Sequence, residues 1–99
     1  MTKQNVTRSS GNVFEDLGFA PEEAHHLRLR ASLMTELRRE ITKRGWTQRA
    51  AAESLGVSQP RISDLMRGKI HLFSIDSLVD MLAVVGRRVR LVIGRSAQM

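Results

Sequence analysis

The stretch from Thr47 to Gly68, TQRAAAESLGVSQPRISDLMRG, decides the fold of this 99-residue chain. Thr47 and Ser58 each precede a short run with helical character. A hydroxyl side chain at that position can accept a hydrogen bond from an unpaired amide of the first turn. Gly56 lies between the two runs and can take the positive φ that ends a helix. The stretch therefore predicts two short helices joined by a tight corner.

The second of these helices is predicted to have an apolar side and a polar side. Ile62 and Leu65 lie three residues apart and are expected to face the core. Two helices joined by a short turn that contains glycine are the signature of a helix-turn-helix, whose second helix enters the DNA major groove. Two packed helices that touch no DNA would explain the apolar positions. They would not explain Gln48, Gln59 and Arg61 around helix N-termini on a basic chain.

The motif resembles the lambda-repressor-like (XRE or Cro-type) helix-turn-helix family. The positions that carry this resemblance are Thr47-Gln48, Ala51, Gly56, Val57, Ser58-Gln59, Ile62-Ser63 and Gly68. The wider sequence from Gly11 to Ile93, which starts with GNVFEDLGF and ends with an Arg-Val-Arg strand, looks like the HigA-type antitoxins of toxin–antitoxin modules. That resemblance implies a dimer that represses its own operon and neutralises a small toxin related to ribosome-dependent mRNA endonucleases. No motif in the chain specifies a toxin-binding surface.

Composition narrows the class of protein. Sixteen Lys and Arg residues against ten Asp and Glu give a net charge of +6, which suits a polyanionic partner. The chain has no cysteine, so disulfide frameworks and thiolate zinc fingers are excluded. No apolar run approaches the ~20 residues that a membrane span needs. We therefore expect a cytoplasmic protein that does not enter membranes.

Catalysis and cofactors are not expected. No serine stands in a Gly-x-Ser-x-Gly elbow, and the glycines occur singly rather than in a phosphate-binding loop. His25 and His26 are adjacent, so on a helix they point about 100° apart and form a poor metal chelate. The sequence thus predicts neither an enzyme, nor a metal site, nor a bound cofactor.

Two longer helices are predicted on either side of the motif. The first starts at Pro21, runs to about Arg44 and ends at Gly45. Ser74 caps the other, which ends at Gly86. The buried stripe of the first helix is expected to contain Leu27, Ala31, Met34, Leu37 and Ile41. That of the last helix is expected to contain Ile75, Leu78, Val79, Leu82 and Val85.

The C-terminal segment changes period. Apolar residues alternate with polar ones from Arg87 to Ile93, as they do in a half-buried strand. A lone strand has no partner in a helical domain, so we expect it to pair antiparallel with the same strand of a second copy. The residues assigned to this dimer contact are Arg88, Val89, Arg90, Leu91, Val92 and Ile93. The alternative is a frayed basic tail in which Arg87, Arg88, Arg90 and Arg95 reach nucleic acid.

These inferences define the expected fold and domain organisation. The fold is an all-α, lambda-repressor-like domain of about five helices with a short C-terminal β-strand that pairs across a dimer. A flexible N-terminal arm occupies residues 1–12, the DNA-binding domain residues 13–86, the dimerisation strand residues 87–94 and a flexible tail residues 95–99.

The predicted DNA contacts separate into those to phosphates and those to bases. The family resemblance places Gln48 on a phosphate, and Ser58 is expected to reach one as well. Gln59 can pair with adenine, and Arg61 can either read guanine or grip a phosphate. Asp64 can accept from cytosine or pair with Arg61 or Arg67. The full predicted set is Thr47, Gln48, Ser58, Gln59, Pro60, Arg61, Ser63, Asp64, Arg67 and Lys69.

The expected partners are double-stranded DNA with a palindromic operator, a second copy of the chain and a small basic toxin. Such a toxin would suit the acidic residues Glu15, Asp16, Glu22 and Glu23. Two other functions stay open at this stage. One is a stand-alone repressor without a toxin, and the other is chiefly a protein-interaction inhibitor that binds DNA weakly.

Overall fold

The computed structural model describes residues 17–18 and 20–94, and this part of the chain is helical. In chain order the elements are α1 (Pro21–Lys43), α2 (Gln48–Leu55), α3 (Gln59–Met66), a 3-10 turn (Ile70–Leu72) and α4 (Ile75–Val84). The expected all-α class is confirmed for the described residues, with four α-helices and the 3-10 turn in place of about five helices. The predicted arm at 1–12 and tail at 95–99 lie outside these residues.

Side-chain caps begin three of the helices, as the sequence predicted. The hydroxyls of Thr47, Ser58 and Ser74 accept hydrogen bonds from the amides three residues further on, at 3.0, 3.2 and 3.1 Å. Gly56 ends α2 with a φ of 71°, in the left-handed region that costs glycine little. The corner between α2 and α3 is therefore fixed by local backbone chemistry.

The core lies where α1 packs against α4 and where α2 packs against α3. Its members are Met34, Leu37, Ile41, Ala51, Ala52, Leu55, Ile62, Leu65, Phe73, Leu78, Met81, Leu82 and Val85. In the stripe predicted for α1, Leu27 and Ala31 are only half-buried. α1 has 23 residues and α4 only 10, so α4 can cover less than half the length of its neighbour.

Two aromatic residues stabilise the junctions between helices. Phe73 follows the 3-10 turn and is 1% exposed, although its sequence position gave no periodic signal. Trp46 connects α1 to α2 and packs against the core. The guanidinium of Arg44 lies 5.3 Å from the centre of the Trp46 ring, within range of a cation–π interaction.

The strand expected at residues 87–94 is not formed in the described chain, where these residues are irregular. A strand needs a neighbouring ladder of hydrogen bonds, and no described segment of the same chain supplies one. Leu91, Val92 and Ile93 are 86, 89 and 92% exposed. Their pairing with a second copy stays a prediction.

Arg87 fixes the start of that segment to α1. Its Nη1 donates to Glu40 Oε2 at 2.9 Å, and its Nη2 donates to Glu36 Oε1 at 2.8 Å. Glu40 is buried, so a charged partner is needed to stabilise its carboxylate. The hydrogen bond from Arg87 lowers the pKa of Glu40 most, with a further lowering by Lys43 and Arg44, while burial opposes the change.

The same contacts also change the pKa of Arg87. The hydrogen bond to Glu36, followed by that to Glu40, raises the pKa of Arg87. Arg44 adds a second link, since its Nη2 donates to the backbone oxygen of Val85 at 2.8 Å. The chain therefore leaves α4 in a direction that side chains of α1 determine.

No helix in the described part of the chain is both long and apolar enough to cross a membrane.

Candidate nucleic-acid interface

The second helix of the motif, α3, is held by its apolar side and exposes its first turn. Ile62 and Leu65 have no exposed surface. Gln59 and Pro60 in the first turn, and the cap residue Ser58 before it, are exposed. A side chain on this turn therefore has a rigid base and free access to a partner.

The N-terminus of α2 adds a second polar surface. Thr47 and Gln48 are both exposed. The first-turn amides of a helix lack intrahelical partners, and together with the helix dipole they favour an anion such as phosphate. The Thr47 hydroxyl accepts one hydrogen bond as a cap and keeps its proton to donate to another group. The same holds for Ser58 on α3.

Arg61 has contacts that the sequence did not reveal. Its Nη1 donates to the backbone oxygen of Leu72 at 2.7 Å, and its guanidinium carbon lies 4.1 Å from the centre of the Phe73 ring. The side chain is half-buried and connects α3 to the 3-10 turn. Reading guanine would require Arg61 to leave these contacts, so its role on DNA stays a prediction.

The C-terminal half of α3 places its charges differently from expectation. Asp64 lies 3.8 Å from the Lys69 Nζ, rather than pairing with Arg61 or Arg67. Lys69 is brought back toward α3 because Gly68 adopts a φ of 73° and reverses the chain. Arg67 is exposed, and Ser63 is half-buried. Of the two cations predicted to contact DNA at this end of α3, Arg67 and Lys69, the first is the more accessible.

Metal chemistry finds no support in the described residues, which contain no cluster of three or more His, Asp or Glu side chains able to hold an ion. The rings of His25 and His26 lie 6.4 Å apart and tilt by 55°.

The comparisons with known proteins place this geometry in a family. Residues 13–94 match the family model described as a helix-turn-helix domain. The match spans most of the chain, and the chain belongs to this helix-turn-helix family.

A solved structure with the provisional name of XRE family transcriptional regulator is similar to this chain. The two are 29% identical with a TM-score of 0.71, and the similarity covers 77% of this chain and 85% of the other. None of the curated proteins matches the chain.

Proposed function

We propose that the protein is a sequence-specific, DNA-binding transcriptional regulator of the XRE type that acts as a homodimer in the cytoplasm. One observation carries the proposal: the polar first turn of α3 is exposed on a helix whose Ile62 and Leu65 are completely buried. A rigid helix with an exposed polar N-terminal turn is the device by which helix-turn-helix proteins read base edges. The family match and the similar XRE structure support the same conclusion.

Within this proposal Gln59 reads a base, because an exposed amide can bond both N6 and N7 of adenine. Gln48 and the cap hydroxyls of Thr47 and Ser58 bind phosphate. Arg67 adds a cation beyond the C-terminal end of α3. Phosphate contacts supply affinity for any sequence, and the contact from Gln59 supplies preference.

Dimerisation is proposed to use residues 88–93. Leu91, Val92 and Ile93 are apolar and almost fully exposed, which is costly in water unless a partner covers them. Antiparallel pairing with the same segment of a second copy would satisfy the backbone groups and bring Leu91 and Ile93, which share one face of a strand, against their counterparts. A two-fold dimer would place two α3 helices on half-sites about one DNA turn apart, hence a palindromic operator.

The test is a band-shift titration with DNA from immediately upstream of the gene and with single-base variants of that DNA. Gln59→Ala should relax discrimination at one base pair of each half-site by about 1–3 kcal/mol. Gln48→Ala is the matched control, since the same loss of an amide on a phosphate should weaken all the duplexes equally. Unchanged discrimination in Gln59→Ala would remove that assignment, and failure of the parent to bind would remove the function.

We further propose that the regulator is the antitoxin of a toxin–antitoxin module. Beside the sequence resemblance, this rests on the exposed first half of α1, where Glu22 and Glu23 are exposed and Leu29 is 42% exposed. The two carboxylates at the start of this helix would attract a basic group of a protein partner, and Leu29 would add an apolar contact.

The product of a short neighbouring reading frame, co-expressed with the chain, tests the antitoxin role. A stable complex that is lost in Glu22→Lys with Glu23→Lys is expected. Glu53→Lys with Asp76→Lys makes the same total change of charge at exposed positions of α2 and α4 and should leave the complex intact. Absence of such a reading frame, with operator binding intact, would favour the stand-alone repressor.

A further inference from the structure

A basic groove lies beside the C-terminal end of α3. It has a volume of about 460 Å³ and is lined by Thr35, Arg38, Arg39, Thr42, Lys43 and Met66. Five of these residues come from the second half of α1, while Met66 is the last residue of α3. The Thr35 hydroxyl donates its proton to the backbone oxygen of Ala31 at 2.9 Å. The three cations and the Thr42 hydroxyl in one concave surface form a set of donors suited to an anion with several oxygens.

The three cations of this groove differ in whether they form ion pairs or hydrogen bonds with the protein. Arg39 donates to Glu36 at 2.9 Å, and Lys43 lies 3.8 Å from Glu40. Arg38 is half-buried, and within the described residues it forms neither an ion pair nor a side-chain hydrogen bond. The five donors of its guanidinium therefore lack a protein acceptor in this part of the chain.

Arg38 lies next to the loop that follows α3, which contains Arg67, Gly68 and Lys69, rather than on a remote face of α1. A Cβ placed on Gly68 would lie 3.5 Å from Arg38 Nη1, so the guanidinium is close to the backbone of that glycine. Arg67 and Lys69 flank Gly68. The groove thus continues the cationic surface that begins after α3.

Simple dimensions relate this surface to a duplex. A helix of eight residues such as α3 is about 12 Å long, similar to the width of the major groove. When its first turn contacts bases, residues just beyond its last turn come within reach of a bordering phosphate backbone. A half-buried guanidinium is suited to that role, because it can bond a phosphate bidentately.

We propose that the groove on α1 is a phosphodiester-binding site for the DNA backbone, with Arg38 as its main ligand and Lys43 as an additional cation. The inference rests on the proposed DNA-binding function and assigns a new contact to it. An acidic segment of a protein would also be attracted by these charges. The position beside Met66 and Gly68, next to the DNA-reading helix, favours the DNA backbone.

The experiment measures affinity against salt concentration for two duplexes of about 30 base pairs, long enough for two half-sites a turn apart. One carries the upstream DNA and the other is a scrambled duplex of equal composition. Arg38→Gln should weaken binding to both about fivefold and reduce the slope of log K against log salt by about one. Adding Lys43→Gln should reduce the slope further.

Arg30→Gln is the matched control. It removes the same charge from the same helix, at a half-buried position about 12 Å closer to the N-terminus than Arg38, and should keep the parent slope. Arg38→Lys keeps the charge without bidentate geometry and should recover part of the affinity and most of the slope. Thermal unfolding and light scattering of each variant establish that fold and dimer are unchanged.

The outcomes distinguish this inference from the function on which it rests. If the parent binds neither duplex, the DNA-binding function itself is wrong. If the parent binds and Arg38→Gln keeps both its affinity and its slope, the phosphate site is wrong while the regulator stands. A loss confined to the upstream duplex would also overturn the inference, since a backbone contact acts on every sequence.

Discussion

The helix α3 and the C-terminal segment 87–94 both combine polar and apolar residues in a regular pattern. Only in α3 are apolar residues completely buried. Ile62 and Leu65 of α3 have no exposed surface, whereas Leu91 and Ile93 are 86 and 92% exposed. The difference is one of available partners. α2 and α1 pack against the inner side of α3, while the described chain provides no cover for residues 91–93.

This contrast separates two kinds of sequence pattern. In α3 the apolar positions report on packing within one copy, whereas Gln59 and Pro60 of the first turn stay exposed. In the C-terminal segment Val89 packs against the core of its own copy, but residues 91–93 stay exposed, and it is these three that the proposed intermolecular contact would cover. The predictions below test whether the two regions differ in this way.

Leu65→Ala should have the largest effect. Removing a completely buried leucine leaves a cavity and should lower the free energy of unfolding by about 3 kcal/mol, measured by urea denaturation. Leu91→Ala is the same chemical change at an exposed position and should cost less than about 0.5 kcal/mol in the dilute monomer. Equal losses at both positions would show that residues 91–93 belong to the core of a single copy.

Leu91→Lys should act on association rather than on folding. A charge placed in the proposed strand contact should raise the dimer dissociation constant at least about tenfold, equivalent to 1.4 kcal/mol. Sedimentation equilibrium measures this change. Val84→Lys puts the same charge on another exposed apolar position, in α4, and should leave the dimer intact. A variant at position 91 that remains dimeric would contradict the strand contact.

Ser58→Ala should have a smaller effect, limited to the start of α3. Loss of the 3.2 Å hydrogen bond to the amide of Arg61 should lower the free energy of unfolding by about 1 kcal/mol. Ser54 lies at an exposed position inside α2, where alanine is tolerated well. Ser54→Ala should therefore change the free energy of unfolding by less than about 0.5 kcal/mol. Comparison of the two variants shows whether stability is lost because the cap is lost or because any serine hydroxyl is lost.

Glu40 should have the smallest effect, because its contribution to the free energy of unfolding does not change near neutral pH and is lost only in acid. The folded pKa of Glu40 lies below its unfolded value, so the folded protein binds fewer protons there than the unfolded chain. Its contribution is complete above the unfolded pKa of about 4.3 and is lost as the pH falls through the folded pKa. Urea denaturation across acidic pH should therefore show a shallower dependence for Glu40→Gln and for Arg87→Gln than for the parent. If both variants keep the pH dependence of the parent, this ion pair is not a source of acid sensitivity.

Local chemistry explains what the sequence predicted well. The hydroxyls of Thr47, Ser58 and Ser74 cap helices through bonds to residues three positions away, and Gly56 ends α2 through its own φ. Such interactions are contained within one turn of the chain. The helices and the exposed first turn of α3 could therefore be inferred without a structure.

Contacts between distant residues explain what was missed. Arg61 was expected to face DNA, but Phe73 and the backbone of Leu72 hold its guanidinium. Arg87 and Glu40 are separated by 47 positions, and no pattern linked them. The pairing of Asp64 with Lys69 depends on how the chain reverses at Gly68. Each requires the three-dimensional path of the chain, which periodicity does not contain.

If the proposed dimer forms, the attachment of Arg87 to Glu36 and Glu40 has a consequence for the spacing of the operator half-sites. In a dimer joined through residues 88–93, the anchored arginine sets where each copy begins and the length of free chain sets how far apart the copies stand. One inserted residue adds about 3.3 Å of extended backbone in each copy, hence about 6.6 Å across the two-fold axis, close to the rise of two DNA base pairs. Relatives that differ in the length of this segment would then recognise half-sites at different separations, even with identical base-reading side chains.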